Sequence, residues 1–394
     1  MMRKFIMLIL LAVLLVAVPA YAQDSSAQTQ PAQQGGGSSL VAGLDIYQRA
    51  AAAFDAQDYK KAITDYSLFI LLNPTVGEGY FQRAQSYLQL DNLDEALLDL
   101  NRTLELPPAS DQAESQAHML RSGIYIQREQ LDAALDDLNI AVEKAPDSPD
   151  ALYRRARLFL VQQQYEPALK DLDAVVQLAP NFPDAYYFRA VANTQLEHID
   201  LAIEDFTQVI KAAPNDVASY IGRADLYIRQ EDYASALGDL DQAIQLDSTI
   251  GGWYLLRGMV NNKLGNSATA AADYLEWIRG IRKGDINTSV QLRPNESQVL
   301  PMQDGLIYAI NFAGRAGDIV NLSATARPGS NVDPLLVIGD QDGNVLVAND
   351  DSGDAFDAVI TDFKIPADGT YTILLTHAGG GSSGAVRLLL EISN

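Results

Sequence analysis

Cysteine is absent from all 394 residues, which excludes a disulfide framework, a thiolate metal site and lipid attachment at a cysteine. Histidine is nearly absent: His118, His198 and His377 are the whole set, and no spacing among them suggests a metal site. Basic residues are scarce, with 28 Lys and Arg against 51 Asp and Glu and a formal charge of −23. Two of the positive charges are Arg3 and Lys4; residues 23–284 carry 21 basic against 37 acidic side chains, and the remainder 5 against 14. An acidic surface cannot release counterions from phosphate, which argues against nucleic acid as a partner. A chain without covalent staples must be held by packing, and this one is long enough to do so.

Beyond Val18 no apolar run is long enough to cross a bilayer. Arg3 and Lys4, the apolar stretch Phe5 to Val18, Pro19, and the small-residue pattern Ala20, Tyr21, Ala22 have the layout of a secretory signal cleaved after Ala22. The apolar stretch is too short for a membrane span, which takes roughly 20 residues. An exported protein is the expectation, periplasmic, cell-surface or extracellular. Residues 23–42 are rich in Gln, Ser, Ala and Gly and are expected to be a flexible tether.

From residue 43 to 284 a pattern recurs. An arginine is followed sixteen residues later by an aspartate in Arg49/Asp65, Arg83/Asp99, Arg121/Asp137, Arg155/Asp171, Arg189/Asp205, Arg223/Asp239 and Arg257/Asp273. Consecutive arginines are 34 residues apart except for one step of 38, from Arg83 to Arg121. Such a period means one supersecondary unit stacked on copies of itself. Apolar positions at helical spacing in two runs make each unit a helical hairpin, with units near 43–76, 77–110, 115–148, 149–182, 183–216, 217–250 and 251–284. Position 8 is small, position 20 is always alanine, and position 11 is mostly a large ring, except at Asn193 and Asn261. Proline closes five units, at Pro74, Pro108, Pro146, Pro180 and Pro214. With the hairpin turn near position 15, the arginine and the aspartate stand at equal height on antiparallel helices, as an ion pair that fixes register.

This combination resembles the tetratricopeptide repeat over about 240 residues. Pro is replaced by Ser248 and Arg282 in the last two units, and Trp277 stands where alanine is usual. The last unit is therefore expected to pack differently, with Trp277, Ile278 and Ile281 on an end face that needs a cover. The resemblance implies a peptide-binding groove lined by the first helices, with an apolar column at position 5 of Tyr47, Phe81, Met119, Tyr153, Tyr187, Ile221 and Leu255. Packing within the array is the alternative role for that column. Gln89, Gln127 and Gln195 would hold a ligand backbone. Arg157, Arg229 and Lys263 are too few, beside Asp55, Glu78, Asp150, Asp184 and Asp225, to clamp a terminal carboxylate.

Residues 285–394 change to period 2, with strands expected at 306–312, 318–324, 334–338, 344–348, 357–363, 370–376 and 385–392. Seven or eight antiparallel strands in about 110 residues suggest a sandwich. The run Asp333 to Gly343, then Asn349, Asp350 and Asp351, then Pro366 to Tyr371, resembles the bacterial pre-peptidase C-terminal domain, a jelly-roll-like module of secreted proteins implicated in secretion or surface binding. Asp340, Asp342, Asp350 and Asp351 are candidate calcium ligands, though aspartate is also an ordinary turn residue. Gly380 to Gly384 matches a nucleophile-elbow pattern, but strands are expected on both sides and no histidine follows, so catalysis is not expected.

The fold expected is multidomain α plus β: an α-solenoid of seven hairpins followed by an all-β antiparallel sandwich. The function expected is a non-enzymatic exported adaptor that binds protein or peptide segments. The alternative is an attachment protein whose sandwich binds polysaccharide or envelope material, with the array as a spacer.

Overall fold

The computed structural model describes residues 43–280, 286–303, 306–330, 332–340, 345–350, 357–377 and 384–393. The expected signal and tether lie outside them. The described residues divide into two compact units, 43–198 and 199–393. The first holds helices α1 (Leu44–Asp55), α2 (Tyr59–Leu72), α3 (Gly77–Leu88), α4 (Leu93–Glu105), α5 (Asp111–Gln127), α6 (Leu131–Lys144), α7 (Pro149–Val161), α8 (Tyr165–Leu178) and α9 (Pro183–Gln195). The second holds α10 (Ile199–Ala212), α11 (Val217–Arg229), α12 (Tyr233–Leu246), α13 (Gly251–Lys263) and α14 (Ser267–Gly280), followed by the strands. Helix gives way to strand between Gly280 and Ile286, but the second compact unit runs across that change.

Each hairpin turns at position 15 in left-handed backbone, at Gln57, Asp91, Glu129, Gln163, Glu197, Glu231 and Gly265. One residue on, the backbone N–H reaches back five residues, from Asp58 to Ala53, Asn92 to Tyr87, Gln130 to Tyr125 and Gln164 to Phe159, which ends the first helix in a Schellman motif. In unit one this register gives position 11 to Ala53, not to its neighbour Phe54. Close approach of the two helices needs small side chains at positions 8 and 20. All seven position-20 alanines are fully buried. At Gly258 a Cβ would stand 2.6 Å from the Tyr274 ring, so only glycine fits there. The step of 38 residues leaves α5 with 17 residues, where the other first helices have 12 or 13, and four residues are close to one helical turn.

The sixteen-residue pairs are forked ion pairs. The Nε and Nη2 atoms of Arg49, Arg83, Arg121 and Arg155 donate to Asp65, Asp99, Asp137 and Asp171 at 2.6–2.9 Å. In the second unit Arg223 grips Asp239 and Arg257 grips Asp273 in the same way. The third nitrogen, Nη1, reaches the preceding hairpin. It donates from Arg83 to Ser67 at 2.9 Å, from Arg121 to Asn101 at 2.8 Å, from Arg155 to Asn139 at 3.2 Å and from Arg189 to Asp173 at 2.9 Å. Arg223 to Thr207 and Arg257 to Asp241 follow at 2.8 and 2.7 Å. The guanidinium groups of Arg83, Arg121, Arg155, Arg189, Arg223 and Arg257 also lie near aromatic rings, such as Tyr87, Tyr125, Phe159 or Tyr227. The two asparagines that replace rings at position 11 are buried and bonded, Asn193 to His198 and Asn261 to Asp273.

The strands are β1 (Ile286–Asn287), β2 (Glu296–Met302), β3 (Ile307–Gly314), β4 (Ile319–Ala326), β5 (Pro334–Gly339), β6 (Val345–Asn349), β7 (Ala358–Lys364), β8 (Gly369–His377) and β9 (Gly384–Ser393). They form two sheets, β1-β3-β8-β5-β6 and β2-β9-β4-β7. All described pairings are antiparallel except the short β1 on β3, so the antiparallel sandwich expected is present with one two-residue parallel addition. The expected strands are present, and β1 and β2 are additions. Leu322, Leu336, Ile338, Ile373 and Leu388 are among the side chains that fill the space between the sheets. Leu335 and Val337, on the opposite face of β5, pack with Ile307 and Ala348 against Ala270, Tyr274 and Trp277 of α14. The last hairpin's end face is thus covered by the five-stranded sheet.

Removing one partner of a buried, forked ion pair leaves an uncompensated charge. Asp171→Ala should therefore cost about 3 kcal/mol in urea unfolding, and Asn139→Ala, which removes a single acceptor, about 1 kcal/mol. Equal losses would mean the two contacts do not differ in kind. Burial alone would raise the Asp137 carboxyl, but hydrogen bonds from Arg121 and His118 outweigh it and hold it below its ordinary value of 3.8. A depressed carboxylate stabilises the fold fully above its ordinary value, and that stabilisation is lost as pH falls through the lower folded value. Titration of stability below pH ~4 should show a shallower acid limb for Asp137→Asn than for the unaltered chain. A chain ended after residue 284 uncovers Tyr274 and Trp277, and should bind a hydrophobic dye or self-associate where the full chain does not; dye binding equal in the two would contradict the packing described.

Candidate functional site

A ligand-binding face on the array has to be built from side chains of the first helices that are not spent on packing. Position 5 is largely spent. Phe81, Met119, Tyr153, Tyr187 and Ile221 are all less than 8% exposed. Tyr153 lies edge-on to Phe182 with ring centroids 4.8 Å apart and also meets Phe188 in the next unit. Tyr47 is half-buried; its hydroxyl donates to Glu78 and its ring stands against Tyr66 and Phe69. Leu255 is half-buried and belongs to the cluster beneath the five-stranded sheet. Of the two roles open to the apolar column, its burial matches filling between helices. A side chain on a helix leans toward the preceding turn, and at position 5 that lean takes it into the array.

The amides two turns further along are different. Gln89 and Gln127 are exposed and Gln195 is half-buried. No side-chain hydrogen bond is formed by any of the three among the described residues. An amide offers two donors and an acceptor, so these positions can pair with a peptide backbone in either sense.

Several charged side chains of the same face have partners. Glu78 accepts from Tyr47 and from Gln82 at 2.8 Å. Asp150 accepts from Arg154 at 2.9 Å. Arg157 lies 5.7 Å from the Tyr153 ring centroid and 5.3 Å from that of Phe188. In the second unit Arg229 is paired with Asp225 at 2.6 Å. His118 donates or accepts at Asp137 and His198 at Asn193, so both rings are structural.

Of the candidate calcium ligands, Asp342 and Asp351 lie outside the described residues. Asp350 is buried and accepts a 3.0 Å hydrogen bond from the Asn262 amide; Asp340 is at the end of β5. No group of three or more metal-ligating side chains occurs among the described residues. Of the Gly380 to Gly384 motif, residues 380–383 lie outside the described residues and Gly384 is the first residue of β9. No described helix is long and apolar enough to cross a membrane.

Sequence reasoning missed the acceptors of the arginine Nη1 atoms. Ser67, Asn101, Asn139, Asp173, Thr207 and Asp241 each stand two residues after the paired aspartate, and that recurring short polar residue was a readable signal.

Comparison with known proteins bears on the array. The tetratricopeptide repeat family model matches residues 47–114, 81–149, 121–183, 153–217 and 221–285. A segment of 73 residues is 36% identical to the protein SGT1 homolog of Oryza sativa subsp. japonica, covering 18% of this chain and 20% of that protein. The chain thus spans about a fifth of that curated relative. Among solved structures, the C-terminal part of a TPR repeat-containing protein from Cytophaga hutchinsonii superposes with a TM-score of 0.50 at 18% identity, over 60% of this chain and 99% of that one. A tetratricopeptide repeat protein from Parabacteroides merdae gives 0.44 at 20% identity, over 61% and 94%. YrrB, described as a TPR protein with an unusual peptide-binding site, gives 0.43 at 21% identity, over 46% and 92%. These likenesses concern the fold.

Proposed function

The chain belongs to the tetratricopeptide repeat family, and on that premise we propose that it is a non-catalytic adaptor that takes up extended protein segments on the first-helix face of its array. The observation that carries this reading is the set of uncommitted amides, Gln89 and Gln127, beside charged groups that already have partners. A ligand held there is recognised through its main chain and not by a clamp on a terminal carboxylate, since the repeating arginines are engaged with their own aspartates and Arg157 lies over the Tyr153 and Phe188 rings. The segment from Arg3 to Ala22 supports export, and the sandwich, through its resemblance to the pre-peptidase C-terminal domain, supports attachment to an envelope or extracellular ligand. The sheet β2-β9-β4-β7 would serve that attachment. Its outward positions include Asn321, Ser323, Thr325 and Glu391, all polar, and the last hairpin packs on the other sheet.

The test uses the full chain and 12-residue peptides selected on it from a random library, then resynthesised with both ends blocked. Gln89→Ala combined with Gln127→Ala should lower their affinity about tenfold, the worth of one or two hydrogen bonds, with the melting temperature unchanged. Affinity that survives both substitutions would remove the amides from the reading.

A further inference from the structure

One strand belongs to two cores at once. β5 lies between β8 and β6, and every residue from Pro334 to Gly339 is buried. Its Leu336 and Ile338 fill the space between the sheets, and its Leu335 and Val337 meet the last hairpin. Successive side chains of a strand point to opposite faces, so neither core can lose β5 and keep its own packing. Both helices of the hairpin share in the second core: Leu255 and Met259 come from α13, and Ala270, Tyr274 and Trp277 from α14.

Two further contacts tie the hairpin to the sheet and to itself. The Asn262 amide of α13 donates at 3.0 Å to Asp350, which is buried just past the end of β6. A buried carboxylate that loses its donor bears a desolvation cost, and that cost opposes slippage of the hairpin on the sheet. Tyr274, which packs with the apolar residues of the sheet, stands so close to Gly258 that a Cβ there would be 2.6 Å from its ring. Beside it Asp273 is held in the fork of Arg257. In an interior packed this closely, a displacement of α14 on the sheet carries α13 with it.

We propose that the last hairpin and the sandwich open and close as one cooperative unit, so that α13 and α14 belong to the sandwich in stability although they belong to the array in sequence. Cooperative units of this kind follow shared burial and not the boundary of a sequence pattern. Such a coupling goes beyond the adaptor reading and holds whatever the array binds. A ligand on the outer sheet β2-β9-β4-β7 stabilises the folded sandwich by mass action, and through the shared core it stabilises α13 and α14 as well.

Hydrogen exchange of the full chain, read segment by segment by mass spectrometry, tests this coupling. Ile373→Val removes one methyl group from the core between the sheets. It should speed exchange about fivefold in β5 and β8 and by the same factor in α13 and α14, with α2 unchanged. Leu336→Ala, which removes more of the same core, should enlarge the shift in all four elements; the milder variant keeps the measurement possible if this one does not fold. Asn262→Ala, made in the hairpin, should in turn speed exchange in β5 and β6. Strands that speed up while α13 and α14 keep their rates would overturn the proposal, and so would an equal acceleration in α2, since the whole chain would then open together.

Discussion

A single guanidinium, used on three sides, is what successive hairpins have in common. Two of its nitrogens lock the helices of one hairpin at equal height on a buried aspartate, and the third ties that hairpin to the one before. Arginine can do this because its donors lie in one plane in a fixed fork, and lysine cannot. The aspartates are no more than 5% exposed, so each pair bears a desolvation cost that offsets much of its attraction. What it gives is register: a hairpin slipped by one residue would leave a buried carboxylate and a guanidinium unmatched. The repeat length follows from this, since 34 residues return the arginine to the same height, and the one step of 38 is tolerated because its four surplus residues are close to one helical turn outside the pair.

The same interaction shows how the ends differ. Unit one has no hairpin before it among the described residues, and Arg49 is 50% exposed where the other arginines are 16–22% exposed. The positions that later units bury against the preceding hairpin are Gly79, Ala117, Ala151 and Ala185, or Ser86, Ile124, Leu158 and Ala192. In unit one they are Asp45 and Ala52, both exposed. A terminal repeat with a polar outer face is what an array needs to stay soluble. At the other end the acceptor position is occupied by Leu275, which no later arginine needs. There the closing surface is apolar, and the sheet supplies what a further hairpin would have supplied.

Much of this was legible from residue types alone. The pairs, the alanines and the turn at position 15 follow from antiparallel helices that must approach closely, and the strands from 307 onward follow from alternation. β5 was legible in a further sense: Pro334 to Gly339 is apolar throughout, the mark of a strand buried on both faces, and the second face is the one that meets Tyr274 and Trp277. β2 was not legible, because Pro301 interrupts its alternation and is accommodated only at a sheet edge. The fate of position 5 was also hidden. Phe81 or Tyr153 suits a groove and a core equally by composition, and only the lean of the side chain and the arrival of Phe182 and Phe188 decide between them.

The burial of that column changes what the array can recognise. With aromatic rings taken into packing and cations held by carboxylates or laid over rings, the polar groups left over on the first-helix face of residues 43–198 are mainly neutral amides. The unit as a whole carries 24 acidic and 13 basic side chains, and its long-range field repels acidic partners without attracting any particular sequence. Amides read a backbone and not its side chains, so discrimination has to come from shape.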